Sequence, residues 1–389
     1  MEFSAVLTGD IRTRVMGQHH TFPQRLTSLA RQRFLIRMIS LRTVVAAAAI
    51  TLAVPAAAQA KTKDMSVGAP AATAKKLGEL VTTNAFYPSK LTVAAGDSVR
   101  FVPAGFHNVD LPKKGGTGIP FITSTGQKVA GSLDAAGAPF WFNGQDAMSL
   151  NPEFFQSAGY GKTFTYTGAK GINSGLPGEK AKPMTVKFTK AGSYTVLCDL
   201  HPGMTATVKV AKKGAKIPSA KQDAAALKKQ TDASVKNAKG LGETNPGANT
   251  VALGVAAKGG LEYMAMVPSS LTVARGTAVK FVMTKGSYEA HTASFGPGDI
   301  NDGNSYMGAI AKSFESPAID AKGLYPSDVT PVSLSAATHG NGFWSSGVLD
   351  ASSATKQLPG ESTVKFDTAG TYKFYCFIHP FMQGSIVVQ

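Results

Sequence analysis

The sequence predicts an all-β chain made of two Greek-key β-sandwiches in tandem, joined by a short helical linker. Three observations predict it. Strand-type alternation, as in Leu91, Val93 and Val99, Phe101, is bounded by AGD, ARG, KAGS and TAGT turns. Two long blocks occur twice: residues 185–204 (TVKFTKAGSYTVLCDLHPGM) align without gaps to 363–382 (TVKFDTAGTYKFYCFIHPFM), an offset of 178, and 88–102 align to 268–282, an offset of 180. The copies therefore span whole domains rather than one strand. Between the halves lies a stretch rich in Ala and Lys that reads as a helix.

The first 60 residues are set aside as an upstream segment and signal peptide. Thr43–Ala58 is a short Ala/Val-rich run behind Arg42, and Ala58-Gln59-Ala60 has the small-x-small pattern of a signal-peptidase site, so cleavage is expected before Lys61. The run is shorter than the roughly 20 residues a spanning helix needs, and Pro55 interrupts it. Met38 followed by Ile-Ser-Leu-Arg makes an ordinary charged start and is a candidate true initiator. The expected destination is the periplasm or the extracellular space.

The first sandwich is expected over 75–212, the linker over 213–248 and the second sandwich over 249–389. With 43% hydrophobic and 16% charged residues in 389, the chain can fill two cores. Beyond residue 60 it carries 33 basic and 22 acidic side chains, a net charge of +11. Much of the excess is in the linker, including Lys221, Lys228, Lys229 and Lys236. An exported protein has no nucleic acid to meet. The charge reads as a solvated helix face, or as attraction to an acidic redox partner or peripheral contact with an anionic cell envelope.

The chemistry is concentrated in a word that both blocks contain, C-x-x-H-x-x-M, at 198–204 and 376–382. Each copy ends a strand pattern with a thiol, an imidazole and a thioether, the donors of a mononuclear blue-copper site lacking one histidine. Candidates stand upstream in matching places, His107 in GFHNVD and His291 in EAHTASF. The alternative for the two cysteines is a single disulfide, because an even count in an exported protein often pairs. The repeat argues against it, since a bridge would leave the histidine and methionine beside each cysteine unexplained.

This pattern resembles the cupredoxins, and CFIHPFM after Phe374-Tyr375 is most similar to amicyanin, with plastocyanin and pseudoazurin as relatives. The resemblance covers the two repeated blocks. It implies two copper ions, one held by equatorial His107, Cys198 and His201 with axial Met204, the other by equatorial His291, Cys376 and His379 with axial Met382. It also implies that Asn108 steadies the cysteine loop, with Thr292 in its place in the second half. The later histidine of each set is implied to lie near the surface in an apolar patch, here Pro202, Gly203, Pro380 and Phe381, where electrons leave.

The function expected is one-electron transfer between redox partners. Storage or delivery of copper is an alternative, though the Met-rich or His-rich tracts of such proteins are missing. A two-domain multicopper enzyme is a further alternative, as is a metal-free structural sandwich. An enzyme needs more histidines: beyond residue 60 there are five, the two sites use four, and His339 remains as a loop residue with no carboxylates expected beside it. Between upstream histidine and cysteine lie 90 and 84 residues, which require an insertion in each half. Each insertion carries aromatics, Phe140-Trp141-Phe142 and Phe343-Trp344, expected to pack beneath a long loop.

Overall fold

Alternate burial along the repeated blocks builds a pair of five-stranded sheets in each half of the chain, as a computed structural model describes for residues 60–352, 355 and 358–389. The signal peptide and Met38 lie outside the described residues, apart from Ala60. In the first half, one sheet runs Phe86–Tyr87, Thr62–Val67, Ser98–Pro103, Met184–Phe188, Thr163–Tyr166. Facing it, the second sheet runs Ile172–Asn173, Asp110–Leu111, Gly192–Leu197, Thr205–Ala211, Lys90–Ala94. Met65, Val99, Phe101 and Val186 from one sheet meet Leu91, Val93, Val196 and Val208 from the other, with Cys198 and Met204 in the same buried cluster.

The second half repeats the arrangement. One sheet orders Val81–Thr83, Leu261–Val267, Thr250–Ala257, Thr277–Met283 and Glu361–Phe366. The other orders Ser270–Val273, Gln383–Val388, Gly370–Tyr375, Ser294–Phe295 and Trp344–Ser345. Cys376 and Met382 again belong to the core, with Val279, Phe281, Phe374 and Ile386. Both halves tie the turn before the cysteine strand in the same way: the Tyr194 hydroxyl donates to the Lys190 carbonyl at 2.8 Å and Tyr372 to Thr368 at 2.9 Å. The chain is thus all-β with two sandwiches, as the alternation predicts.

Two boundaries differ from the expectation. The first sandwich begins at Thr62 rather than near 75, because Thr62–Val67 lies parallel to Ser98–Pro103 with Met65 opposite Phe101. Only Met65 and Val67 of TKDMSV are fully buried, too brief a pattern to stand out. Val81–Thr83 then crosses over: its residues pair antiparallel with Leu261–Tyr263 and so extend the second sandwich, although the chain on both sides belongs to the first.

The linker is a helix over Ala220–Asn237, started by a capping box in which Ser219 and Gln222 satisfy each other's backbone N–H groups. It is docked on the first sandwich. Ser234 bonds the Tyr87 hydroxyl at 2.8 Å, Gln230 donates to the Phe86 carbonyl at 2.8 Å, and Asp223 pairs with Lys63.

The insertions pack against each other. Phe140 and Phe142 of the first join Ile300, Met307, Ile310 and Phe343 of the second, together with Phe377, the residue after Cys376. Trp141 donates from its indole to the Pro326 carbonyl at 2.8 Å, while Trp344 belongs to the core of the second sandwich. His339 corrects the expectation that no carboxylate accompanies it. Its Nδ1 lies 3.3 Å from Asp134 and its Nε2 3.2 Å from Asp328, with the ring against Phe140. Asp134 is 205 residues away in the chain, which is why no spacing revealed it.

Candidate metal centres

Each cysteine ends a strand of its sandwich and opens a loop closed by two backbone bonds. Cys198 N–H donates to the Met204 carbonyl at 3.0 Å and Met204 N–H to His201 at 2.9 Å; Cys376 to Met382 at 3.0 Å and Met382 to His379 at 2.8 Å repeat the pattern. The loop turns the later histidine back over the cysteine and returns the buried methionine to the next strand. From the far side of the sandwich, the segment after Ser98–Pro103 brings His107, and the short strand Ala290–His291 brings its counterpart. The structure therefore unites His107, Cys198 and His201 in one group and His291, Cys376 and His379 in another.

The two groups have nearly the same dimensions. His107 Nδ1 and His201 Nδ1 are 3.0 Å apart, with Cys198 Sγ 3.9 and 3.5 Å from them. In the second group, Nδ1 of His291 and His379 are 3.1 Å apart, and Cys376 Sγ is 3.7 and 3.8 Å away. An ion roughly 2.0 to 2.3 Å from imidazole nitrogen and thiolate sulfur holds such donors about 3 to 4 Å from one another. The donors present thus fit one metal ion in each group. Neither cysteine is in a disulfide, so that alternative is set aside: each thiol is buried in its own sandwich.

The outer nitrogen of a ligand histidine needs an acceptor to fix its ring, and the residues that supply one were not foreseen. His107 bonds the Thr83 backbone. His291 Nε2 is 3.6 Å from Glu262, too far for a hydrogen bond but close enough for an ionic contact, and the other oxygen of Glu262 accepts from the Ser287 hydroxyl at 2.7 Å. His201 Nε2 is 3.4 Å from one oxygen of Glu289, and His379 Nε2 is 3.8 Å from the other. Glu289 precedes His291 by two positions in an extended segment, so it shares a face with that histidine. A charged residue there was the one signal the sequence offered.

Charge follows from these partners. Burial, and then the nearby His201, push His107 down to about 3. Burial also disfavours the charged form of His291, but Cys376 and Glu262 outweigh it and raise this imidazole to about 10. The two upstream histidines differ because Cys376 and the Glu262 carboxylate act on His291, whereas His107 has the opposing charge of His201 beside it. Burial resists ionisation of Cys376, yet His291 and His379 hold its thiol well below the usual range, ready to act as a thiolate donor. In the first group Asp199, next to Cys198, sits against Asp110, which burial and the Asp199 carboxylate push up to about 8.

The loop-fixing role implied for Asn108 is visible. Its Oδ1 accepts from Asp199 N–H at 2.8 Å and its Nδ2 donates to the Asp199 carboxylate at 2.7 Å. Thr292 replaces it with one bond, accepting from Phe377 N–H at 2.8 Å, while its own N–H points at Cys376 Sγ at 3.4 Å.

The implied surface patch is only half reproduced at the first group, where Gly203 is exposed but the histidine is not. His201 is only 9% exposed. Tyr288 packs against one side of the exposed Gly203, so that a Cβ there would lie 2.5 Å from the tyrosine ring, and Ser352 donates to the Pro202 carbonyl at 3.0 Å. In the second loop Phe381 replaces Gly203 and is 59% exposed beside His379. Of the three positions at which the two words differ, the GM versus FM position is where one loop has Tyr288 against it and the other carries an exposed phenylalanine.

Searches against family models and against curated proteins find no match. Among solved structures, the Cu(I) form of an amicyanin variant is similar at 18% identity, covering 38% of this chain and 89% of that one, with a TM-score of 0.21. Amicyanin from Paracoccus versutus gives 15% identity over 38% of this chain and 88% of its own, TM-score 0.21. Oxidised plastocyanin from Dryopteris crassirhizoma gives 22% over 36% and 99%, TM-score 0.18.

Proposed function

We propose that this chain is an exported protein with two type-1 copper centres that accepts and donates electrons one at a time. The observation that carries the reading is the paired geometry: two buried groups of two imidazoles and one thiol, alike to within a few tenths of an ångström, each on rigid strands. His107, Cys198 and His201 with Met204, and His291, Cys376 and His379 with Met382, are the residues proposed to hold the ions. A copper ion held there supplies a Cu(I)/Cu(II) couple. The protein's part is to fix the donors in a compromise geometry that serves both oxidation states, so little rearranges when an electron moves.

Carriage is favoured over catalysis because the fifth histidine is engaged elsewhere. Both ring nitrogens of His339 face carboxylates that hold the insertions together. Export rests on the segment ahead of Lys61; no helix among the described residues is long and apolar enough to cross a membrane. The excess of lysine on the linker helix suits an acidic redox partner or the face of an anionic envelope.

The test is copper titration of the protein beginning at Lys61, followed by optical and EPR spectra. Two equivalents with an intense blue band and narrow copper hyperfine splitting are expected. A protein that stays colourless when loaded would remove the reading. Stopped-flow bleaching and recolouring should occur without steady oxygen uptake; sustained uptake lost in His339→Ala would make the second insertion an active site. Met204→Leu or Met382→Leu should leave copper bound and raise that centre's potential, because the weak thioether donation that favours Cu(II) is removed. Redox titration of each variant checks the shift.

A further inference from the structure

The two groups do not face away from each other. His201 and His379, the later histidines of the two loops, both turn their outer nitrogens toward one carboxylate, Glu289, at 3.4 and 3.8 Å. The glutamate side chain is only 7% exposed. It is held from three sides: Asn84 donates to it at 2.8 Å, its backbone N–H donates to the Ser287 hydroxyl at 3.0 Å, and the next residues pair with Leu349–Asp350. On one side of it Tyr288 lies on Gly203, and Ser352 bonds Pro202, so the first loop is fixed to the second half at the two residues that follow His201.

A buried carboxylate costs several kcal/mol unless it is paired. A partner at either group alone would satisfy that requirement. Glu289 instead gives one oxygen to each, and the atoms it meets belong to the rings whose Nδ1 atoms point into the two groups. It stands between the outer nitrogens of two imidazoles, nearer to His201 than to His379.

We propose that Glu289 joins the two centres into one electron-sharing pair, so that an electron received at either passes through His201, Glu289 and His379 to the other inside the molecule. The inference rests on the copper reading above. With copper held in both groups, the electron would leave the Cu(I) ion of one centre, which would become Cu(II), and reduce the Cu(II) ion of the other to Cu(I). No proton moves and no other reactant is used. The first centre, whose His201 is nearly buried, exchanges electrons chiefly through the second. His379 sits beside the exposed Phe381 and is the more open end.

The experiment uses the full protein loaded with copper and reduced by a substoichiometric radical pulse, with the blue bands followed in time. A redistribution phase whose rate does not depend on protein concentration is expected. In Glu289→Leu the phase should slow about tenfold or more, the scale on which outer partners of ligand histidines act, and Glu289→Gln should slow it less. Asn84→Ala, which frees the carboxylate without touching a histidine, provides a milder second variant and should also slow it. Redox titration of Glu289→Gln should move both potentials, and nitrogen NMR of the Cu(I) protein should shift the Nε2 signals of both His201 and His379.

A merely structural contact would leave the phase unchanged in all three variants, or would alter the signals of one histidine only, and either result overturns the proposal. So would a redistribution that scales with protein concentration. These failures would occur in a blue protein with two coppers, whereas failure of the copper reading is a protein with no blue band at all.

Discussion

Copper-saturated Cys198→Ser and Cys376→Ser should each keep about half of the blue absorbance and one type-1 EPR signal, and the double variant should be colourless. The thiolate is the donor that gives such a site its colour, and serine offers no equivalent. Each cysteine is buried in a separate core, 3% and 0% exposed, so the loss should stay within its own sandwich. Copper analysis alongside the spectra separates a bleached site from an empty one. Loss of the whole band from either single variant would mean that the two thiols serve one ion, contrary to the separate groups described.

A second large effect is expected from one methyl group. Gly68 ends the first strand with φ of +104°, and a Cβ there would fall on the Ala104 carbonyl oxygen and reach within 3.2 Å of the His107 ring. Gly68→Ala should cost about 2–5 kcal/mol, combining left-handed strain with overpacking against backbone that cannot yield. It should also reduce copper uptake to one equivalent, because His107 loses its seat. Gly214→Ala is the control: φ is +81°, but no atom lies within 4 Å, so only the conformational cost of about 1–2 kcal/mol applies. Urea unfolding with copper analysis distinguishes them; equal destabilisation by both would show that the His107 pocket has slack.

Gly254 does the same service in the other half. At φ +74° its absent Cβ would meet Glu262 at 2.5 Å and His291 Nε2 at 3.0 Å. Both glycines end or interrupt the strand parallel to the one that leads to the upstream histidine. This part of the repeat was illegible, because MSVG and VALG share too little beyond one glycine to align. The two blocks that did align carry the core alternation and the C-x-x-H-x-x-M word, where chemistry fixes residue type as well as spacing. His107 and His291 were found because a histidine, unlike a hydrophobic residue, is scarce in this chain.

What stayed hidden was contact between the halves. Glu289 reads as an ordinary charge, Asp134 and His339 are 205 residues apart, and Phe140 and Phe142 read as packing for their own insertion rather than partners of Ile300 and Phe377. Periodicity reports which way a side chain faces within its strand. It does not report which other surface that face will meet. The burial of His201 could have been inferred only by noticing that glycine and phenylalanine occupy the same place in two words that share their ligand residues, and asking what each leaves room for.

The crossing strand Val81–Thr83 bears on how such a chain could be rearranged by evolution or by an engineer. A gene cut at the linker helix would appear to yield two independent modules. The C-terminal product would lack its edge strand, leaving the backbone of Leu261–Tyr263 unpaired and open to strand addition from another copy. The N-terminal product would carry that strand with nothing to pair it, and with it Thr83, the residue that orients His107. Duplication made the halves alike, but this exchange of three residues makes them inseparable, so shuffling, truncation or fusion has to treat the pair as a single heritable unit.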